Sequence, residues 1–312
     1  MRIVELCAGL GNQIYMYVFG RYLEEITGEP VVYDDAGFFS SLVMHNGYEL
    51  EAVFPNIKKP TLLSQCFSDK VWTYMLQQAR ASKMQSAGIA EHLFHHGLDN
   101  LKLCLEPTDA RNPCVEKFSG EVITTPLGRY NSAIAKIPGN VYYWGHWVNP
   151  GWINPIKDKI IKELAFPPIE SMRNKNYERL IKGSFSIGIH IRRGDFVKLN
   201  RAMPHEYYNE IITTLKEKCP MGKFFVFSND MEWCKENSDE LGLPRQDTHF
   251  VEGNFDFKNN YIDIQLMAMC NVLIISPSST FSLVAAMLNQ EKEFFSVDVS
   301  NYPDNDVAEE TK

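Results

Sequence analysis

The chain has 312 residues, 45% hydrophobic and 22% charged, a length that suits about two domains and a core needing neither disulfides nor a structural metal. Lys and Arg number 31 against 39 Asp and Glu, a net charge of −8, which argues against a general nucleic-acid binder; an anionic ligand has to be held by a local cluster of donors. Seven cysteines with no Cys-x-x-Cys pair suggest neither a disulfide framework nor a zinc knuckle and fit a reducing compartment.

The first ten residues include Glu5 and Gly9 and lack the apolar core of a signal peptide, so they read as structure. Residues 2–7 form a predicted strand, Gly9-Leu10-Gly11 a turn, and residues 12–25 a helix, with apolar side chains at 15, 18, 22 and 26 and Gly28 to close it. A β-rich run at 30–33 ends in Asp34 and Asp35, completing the lengths of a βαβ unit. The glycine turn lacks the third glycine of a dinucleotide fingerprint, position 14 being Ile14, and lacks the ending of a P-loop, although Asp34 and Asp35 stand where an acid holds a ribose in such folds.

From 42 to 142 one helix, at 71–84, stands out between loops marked by Pro107, Pro113, Pro126 and Pro138. Glu91, His92, His95 and His96 have helical spacing; they suit a metal site or a solvated helix face, and without His-Glu-x-x-His order no metal is assigned. Tyr142, Tyr143, Trp144, Gly145, His146, Trp147 and Trp152 crowd eleven positions, as either a core edge or a platform for the apolar faces of a sugar.

The second half alternates short β-rich runs at 185–191, 224–227, 248–251, 272–275 and 293–297 with helical patterns at 205–218, 231–241, 260–269 and 281–289. Such alternation predicts a doubly wound parallel sheet with right-handed crossovers. Pro167 and Pro168 mark the boundary between domains at 1–166 and 167–312. The uncharged stretch 264–290 is broken by Ser276, Pro277, Ser278, Ser279 and Thr280, so each half is too short for a membrane span.

Ligands of open parallel sheets gather beyond the carboxyl ends of the strands, where the loops 190–195, 228–230, 252–256 and 276–280 are polar. His190 and Arg192 lie two apart and share a face, with Arg193 on the other. One guanidinium, a planar fork suited to phosphate, is thereby presented to ligand unless Asp195 takes it as an ion pair. Ser278, Ser279 and Thr280 precede a helix, where hydroxyls cap or bind phosphate. Asp263, the last charge before the uncharged stretch, is either a helix N-terminal charge or a ligand for a base edge.

Gly9-Leu10-Gly11-Asn12-Gln13, His190-Ile191-Arg192-Arg193-Gly194-Asp195, Ser228-Asn229-Asp230 with Trp233, and Ser278-Ser279-Thr280-Phe281-Ser282 before Ala285-Ala286 together resemble the α-1,2-fucosyltransferase family in its bacterial, glycosyltransferase family 11-like form. The resemblance implies a GT-B-like α/β fold of two Rossmann-type domains with parallel sheets facing a central cleft. It makes 1–166 the acceptor-side domain and 167–312 the GDP-fucose-binding domain. It further implies an inverting transfer of L-fucose from GDP-fucose to the 2-hydroxyl of a terminal β-galactoside, in the synthesis of a bacterial surface polysaccharide or oligosaccharide. No metal or other cofactor, nucleic-acid partner or transmembrane segment is expected, and the enzyme is expected in the cytoplasm or peripherally at the inner membrane.

Carried over to this sequence, the donor residues are Gly11, Asn12, His190, Arg192, Asp230, Asp263, Ser278, Ser279 and Thr280. Arg192 takes the diphosphate, His190 lines the nucleotide, Asp263 takes guanine, Ser279 takes phosphate, and Asn12 faces the donor from the opposite domain. Tyr143, Trp144, His146 and Trp147 are the expected acceptor residues, with Asp195 and His205 as candidate bases beside the catalytic Arg192. The sequence departs from the family at Asn229, which replaces an acid, at Leu283 and Val284, where tryptophans are common, and at His146 and Val148. Asn200 stands where the related α-1,6 enzymes carry a glutamate base. Transfer with another linkage, a GDP-sugar-binding protein without turnover and a dinucleotide oxidoreductase are the alternatives.

Overall fold

A computed structural model describes residues 1–39, 46–81, 86–107, 117–256, 258–277 and 279–289. The chain divides into two compact units, Met1–Pro167 and Pro168–Lys312. The strand expected at 293–297 lies outside the described residues.

The first unit is built on six parallel strands. These are β1 (Arg2–Glu5), β2 (Val31–Asp34), β3 (Thr61–Leu62), β4 (Lys102–Leu105), β5 (Val122–Thr124) and β6 (Val141–Trp144), in the order β3-β2-β1-β6-β4-β5. β1 pairs in register with β2 on one side and β6 on the other. The helix Leu10–Thr27, which starts two residues before the expected point, ends at Gly28 with φ 69°, a left-handed conformation that favours glycine. The helices Asp69–Ala81 and Ser86–His95 place Trp72, Met75, Ile89 and Leu93 in a core cluster with Leu103, Leu105, Tyr142 and Trp144. β3, β4 and β5 and the second of these helices are elements that the sequence reading of 42–142 did not resolve.

The second unit carries four parallel strands, β7 (Ser186–Ile191), β8 (Lys223–Ser228), β9 (Thr248–Phe250) and β10 (Val272–Ile274), ordered β10-β7-β8-β9. The helices His205–Lys218, Met231–Glu236, Tyr261–Met267 and Thr280–Leu288 follow the sequence pattern closely, though the second and third are shorter than expected. Ile187, Ile189 and Ile191 of β7 pack with Tyr207, Tyr208, Ile211 and Ile212 in a single cluster. The alternation of strand and helix thus yields an all-parallel sheet in each unit. Among the described residues, no helix is long and apolar enough to cross a membrane.

At the carboxyl ends of β1 and β2, Glu5, Asp34 and Asp35 are all buried. Asp34 accepts hydrogen bonds from the Tyr142 hydroxyl at 2.5 Å and from Ala36 N–H at 2.9 Å. Asp35 accepts from the Ser64 hydroxyl and backbone N–H. The acids that a ribose-binding reading invokes are therefore committed to the fold. Burial raises the Asp34 carboxyl from 3.8 to about 7, the Tyr142 and Ala36 donors opposing it only in part. A carboxyl with a raised pKa in the folded state contributes stability that is whole below about pH 4 and is lost as pH rises through about 7. Asp34→Asn removes this contribution, so the fall in melting temperature between about pH 4 and 7 is expected to be shallower in the variant than in the wild type. Parallel curves would show that Asp34 is not the group that titrates.

Candidate functional site

β7 is the first strand of its sheet in sequence, with β8 and β9 on one side and β10 on the other. The order reverses between β7 and β10, and such a switch point opens a crevice at the carboxyl edge of a parallel sheet. Arg192 lies at that place. Its backbone N–H donates to Ser276 Oγ at 3.3 Å across the switch, and Ser276, buried just after β10, also hydrogen-bonds the Tyr208 hydroxyl at 3.2 Å. The Arg192 guanidinium is one-quarter exposed and meets both carboxylate oxygens of Asp195, at 2.9 and 3.0 Å. The ion pair that sequence reading set against phosphate binding therefore forms.

Arg193 has different partners. Its Nε lies 3.3 Å from Asp230, and its guanidinium sits 3.5 Å from the centre of the Trp233 ring. Its backbone N–H donates to Asn229 Oδ1 at 2.8 Å, and a side chain at Gly194, where φ is 37°, would strike the Asn229 amide. Asn229, which replaces a family acid, thus closes the β7 and β8 loops on each other. Asp230, an expected donor residue, accepts from Trp233 N–H at 3.4 Å with one oxygen and pairs with Arg193 through the other.

His190 is 4% exposed, its ring 5.6 Å from that of Phe281 and nearly parallel to it. Burial, aided by the charge of Arg192, lowers its pKa to about 3. The imidazole is neutral, and its buried Nδ1 has no hydrogen-bond partner among the described residues. Phe281 belongs to the first turn of the helix Thr280–Leu288, whose N-cap, Ser279, is buried and makes no side-chain capping bond. That hydroxyl and the positive end of the helix dipole remain available to an anion. Thr280 is half-buried in the same turn; Ser278 lies outside the described residues.

Asp263 sits in the first turn of the helix Tyr261–Met267 and accepts a hydrogen bond from Asn254 Nδ2 at 2.7 Å. Desolvation raises its carboxyl from 3.8 to about 7 against the opposing effects of Asn254 and of the Arg173 charge. His205 opens the helix His205–Lys218 and pairs with Glu206 at 3.2 Å, with no hydrogen bond to His190, Arg192 or Asp195. The residues of that helix that do reach the sheet edge are its neighbours Tyr207, which donates to Ile275 O, and Tyr208.

In the first unit, Gly11 is buried and Asn12 half-buried in the first turn of the helix Leu10–Thr27. Ala8, with φ 63°, turns the chain into that helix. Gln13 holds the turn, donating to Ala8 O and Gly47 O at 2.8 Å each and accepting from Glu49 N–H. The aromatic platform is corrected. Tyr143 and Trp144 are fully buried because β6 is an interior strand buried along its whole length, and Trp147, three residues beyond it, is fully buried as well. Trp147 stacks on Phe19 with ring centres 4.2 Å apart, Trp144 Nε1 donates to Glu5 at 2.9 Å, and the Tyr143 hydroxyl donates to Ile134 O. Of the four expected acceptor residues only His146 is part-exposed. The Glu91 carboxylate is taken by Ser119 and His95 on a helix face.

The family model for glycosyl transferase family 11 matches residues 127–312, and the chain belongs to that family of transferases. An alpha-1,2-colitosyltransferase of Escherichia coli is 26% identical over 89% of this chain and 84% of its own length. The galactoside alpha-(1,2)-fucosyltransferase 1 of Saimiri sciureus is 32% identical over 33% of this chain, a match that spans only 28% of that protein. Among solved structures, the NodZ alpha-1,6-fucosyltransferase, from a crystal soaked with GDP-fucose, superposes with a TM-score of 0.50 at 14% identity, covering 96% of this chain and 95% of that one. This likeness shows a shared GT-B-like fold.

Trp147 is a core residue, so Trp147→Ala is expected to cost about 3–5 kcal/mol of stability, read by urea unfolding. A variant of unchanged stability would contradict the packing described here.

Proposed function

We propose that the chain is an inverting glycosyltransferase that moves L-fucose from GDP-fucose to the 2-hydroxyl of a terminal β-galactoside. The observation that carries this reading is the juxtaposition of Arg192 with the uncapped start of the helix Thr280–Leu288, joined through Ser276 at the switch point between β7 and β10. In the reaction the acceptor oxygen bonds to the fucose anomeric carbon as the carbon–oxygen bond to the diphosphate breaks. The electron pair of that bond leaves on the β-phosphate, and the acceptor proton goes to a base or to water. Fixed positive charge at the departing diphosphate is the largest stabilising effect available to such a step. Arg192 and the helix start supply it, so neither a metal nor a cofactor is needed.

Asp195 is the better placed of the two candidate bases. When a diphosphate takes the Arg192 guanidinium, the carboxylate that held it is released a few ångströms away, whereas His205 stays paired with Glu206. Asp263 accepts the base edge, and His190 beneath Phe281 lines the nucleotide. In the first unit His146 remains an acceptor candidate, with Gly11 and Asn12 at the helix start as donor contacts.

A second reading concerns the sugar. The relative aligned over most of the chain is named for colitose, which is fucose without its 3-hydroxyl. A site built to hydrogen-bond that hydroxyl rejects the deoxy sugar strongly, whereas a merely apolar contact discriminates weakly. Competing GDP-fucose and GDP-colitose on lactose, with NMR of the product, separates the two donors; linkage to any hydroxyl other than O2 of galactose overturns the acceptor assignment. Activity in EDTA is expected to persist, and restoration only by Mn²⁺ would overturn the metal-free reading.

Arg192→Lys is expected to lower turnover by on the order of a hundredfold or more while Arg193→Lys lowers it far less, because a point ammonium cannot span two phosphate oxygens. Equal losses would contradict the division of labour between the two arginines. GDP affinity is expected to weaken below about pH 7, by up to about tenfold per unit, because Asp263 must then release a proton to accept the base donors. Asp263→Asn should flatten that dependence. A wild-type profile already flat from pH 5.5 to 8 would exclude Asp263 from base binding.

A further inference from the structure

The carboxylate of Asp263 does not stand alone. Its Oδ1 accepts from Asn254 Nδ2 at 2.7 Å, and Asn254 is itself one half of a buried amide pair. Asn174 Nδ2 donates to Asn254 Oδ1 at 2.8 Å, and Asn254 Nδ2 donates back to Asn174 Oδ1 at 3.3 Å. Asn254 and Asn174 are 2% and 1% exposed. The reciprocal bonds to Asn174 hold the Asn254 amide in place, and the Asp263 carboxylate selects the orientation that presents its Nδ2; a flip of Asn254 alone would set its oxygen against that carboxylate and against the Asn174 carbonyl.

The pair is fixed from one helix. In Met172–Lys182 the Asn174 N–H is capped by Ser171 Oγ at 3.2 Å, Arg173 donates to Gly253 O at 2.6 Å, and the Tyr177 hydroxyl donates to Phe250 O at 2.9 Å. One face of this helix thus grips the end of β9 and the two residues that follow the turn. Gly253 has φ 88°, a left-handed conformation that favours glycine, and a Cβ there would displace the Arg173 guanidinium. With Oδ1 engaged by Asn254, the second oxygen of Asp263 has no donor among the described residues.

We propose that Asn254, locked by Asn174, is a positioning residue that orients Asp263 for recognition of a base bearing adjacent N–H donors, and that preference for guanine over adenine and hypoxanthine depends on this amide pair. The proposal rests on the reading that a guanosine diphosphate sugar binds this unit. Guanine offers a ring N–H beside an amino group, two donors for a carboxylate; hypoxanthine offers the ring N–H alone, and adenine turns a lone pair toward the acid. Selectivity then requires the acid to be held at one rotamer, and Asn254 is the group that holds it.

The test is calorimetric titration of the full chain with GDP, inosine diphosphate, ADP and pyrophosphate, for the wild type, Asn254→Ala and Arg173→Ala. Loss of the amide is expected to weaken GDP by on the order of tenfold or more and to bring GDP and inosine diphosphate within about threefold of each other, as expected for lost hydrogen bonds to a charged group. Pyrophosphate affinity should not change, since the phosphate end is untouched; a general loss of structure would lower it too. Arg173 is exposed, so its replacement tests the clamp without burying a cavity, and a several-fold loss of the GDP preference is expected. Undiminished preference for GDP in folded Asn254→Ala, or in Arg173→Ala should Asn254→Ala fail to fold, overturns the inference alone. A wild type that binds GDP no better than ADP overturns the donor reading and the inference with it.

Discussion

All four strands of the second sheet run the same way, and that single constraint gathers the candidate site. Parallel strands must each deliver their carboxyl-terminal loop to one edge, and the return of the chain from β9 across to β10 places the loop after β10 beside the loop after β7. Hydrogen bonds then join the loops pairwise: Arg192 to Ser276, Ser228 to Ile191 O, and Arg193 to Asn229. Residues up to 84 positions apart in the chain become neighbours without any special pairing signal between them.

The edge has its own electrostatic order. His190 is neutral because it is buried beside a guanidinium, so charge there is carried by the arginines. Arg193 is committed to Asp230 and Trp233, and Arg192 to the exposed Asp195 carboxylate, with its guanidinium 5.5 Å from the centre of the Phe196 ring. An exposed ion pair is worth little in itself, and an incoming diphosphate can replace Asp195 on Arg192 with small net loss. Under the proposed function the same exchange would free the Asp195 carboxylate, the candidate base. The base site proposed at Asp263 would work on a different principle, a half-buried acid with one oxygen tied to the Asn254 amide.

Much of this was legible in the sequence where one rule dominated. Alternating β-rich runs and helical patterns located β7 to β10 and the helices between them, and the polar residues after each strand marked the edge. The middle of the first unit was not legible, because β3, β4 and β5 are short and, unlike the equally short β9 and β10, are not set off by clear helical patterns in the sequence. The aromatic run at 142–147 misled for a related reason: an interior strand of a parallel sheet is buried on both faces, so flat rings that look available in sequence are core. Asn174 carried no signal, since an asparagine on a polar helix reads as surface. Its role appears only with its partner Asn254, eighty residues away.

The central claim is that the carboxyl edge of the second sheet holds the nucleotide. A crystal structure of the protein soaked with GDP tests this most directly. The account predicts density for guanine against the open oxygen of Asp263 and for the diphosphate between Arg192 and the helix start at Ser279, with Asp195 displaced from the arginine. Nucleotide bound instead at the start of the helix Leu10–Thr27 alone, with the Arg192–Asp195 pair intact, would contradict it.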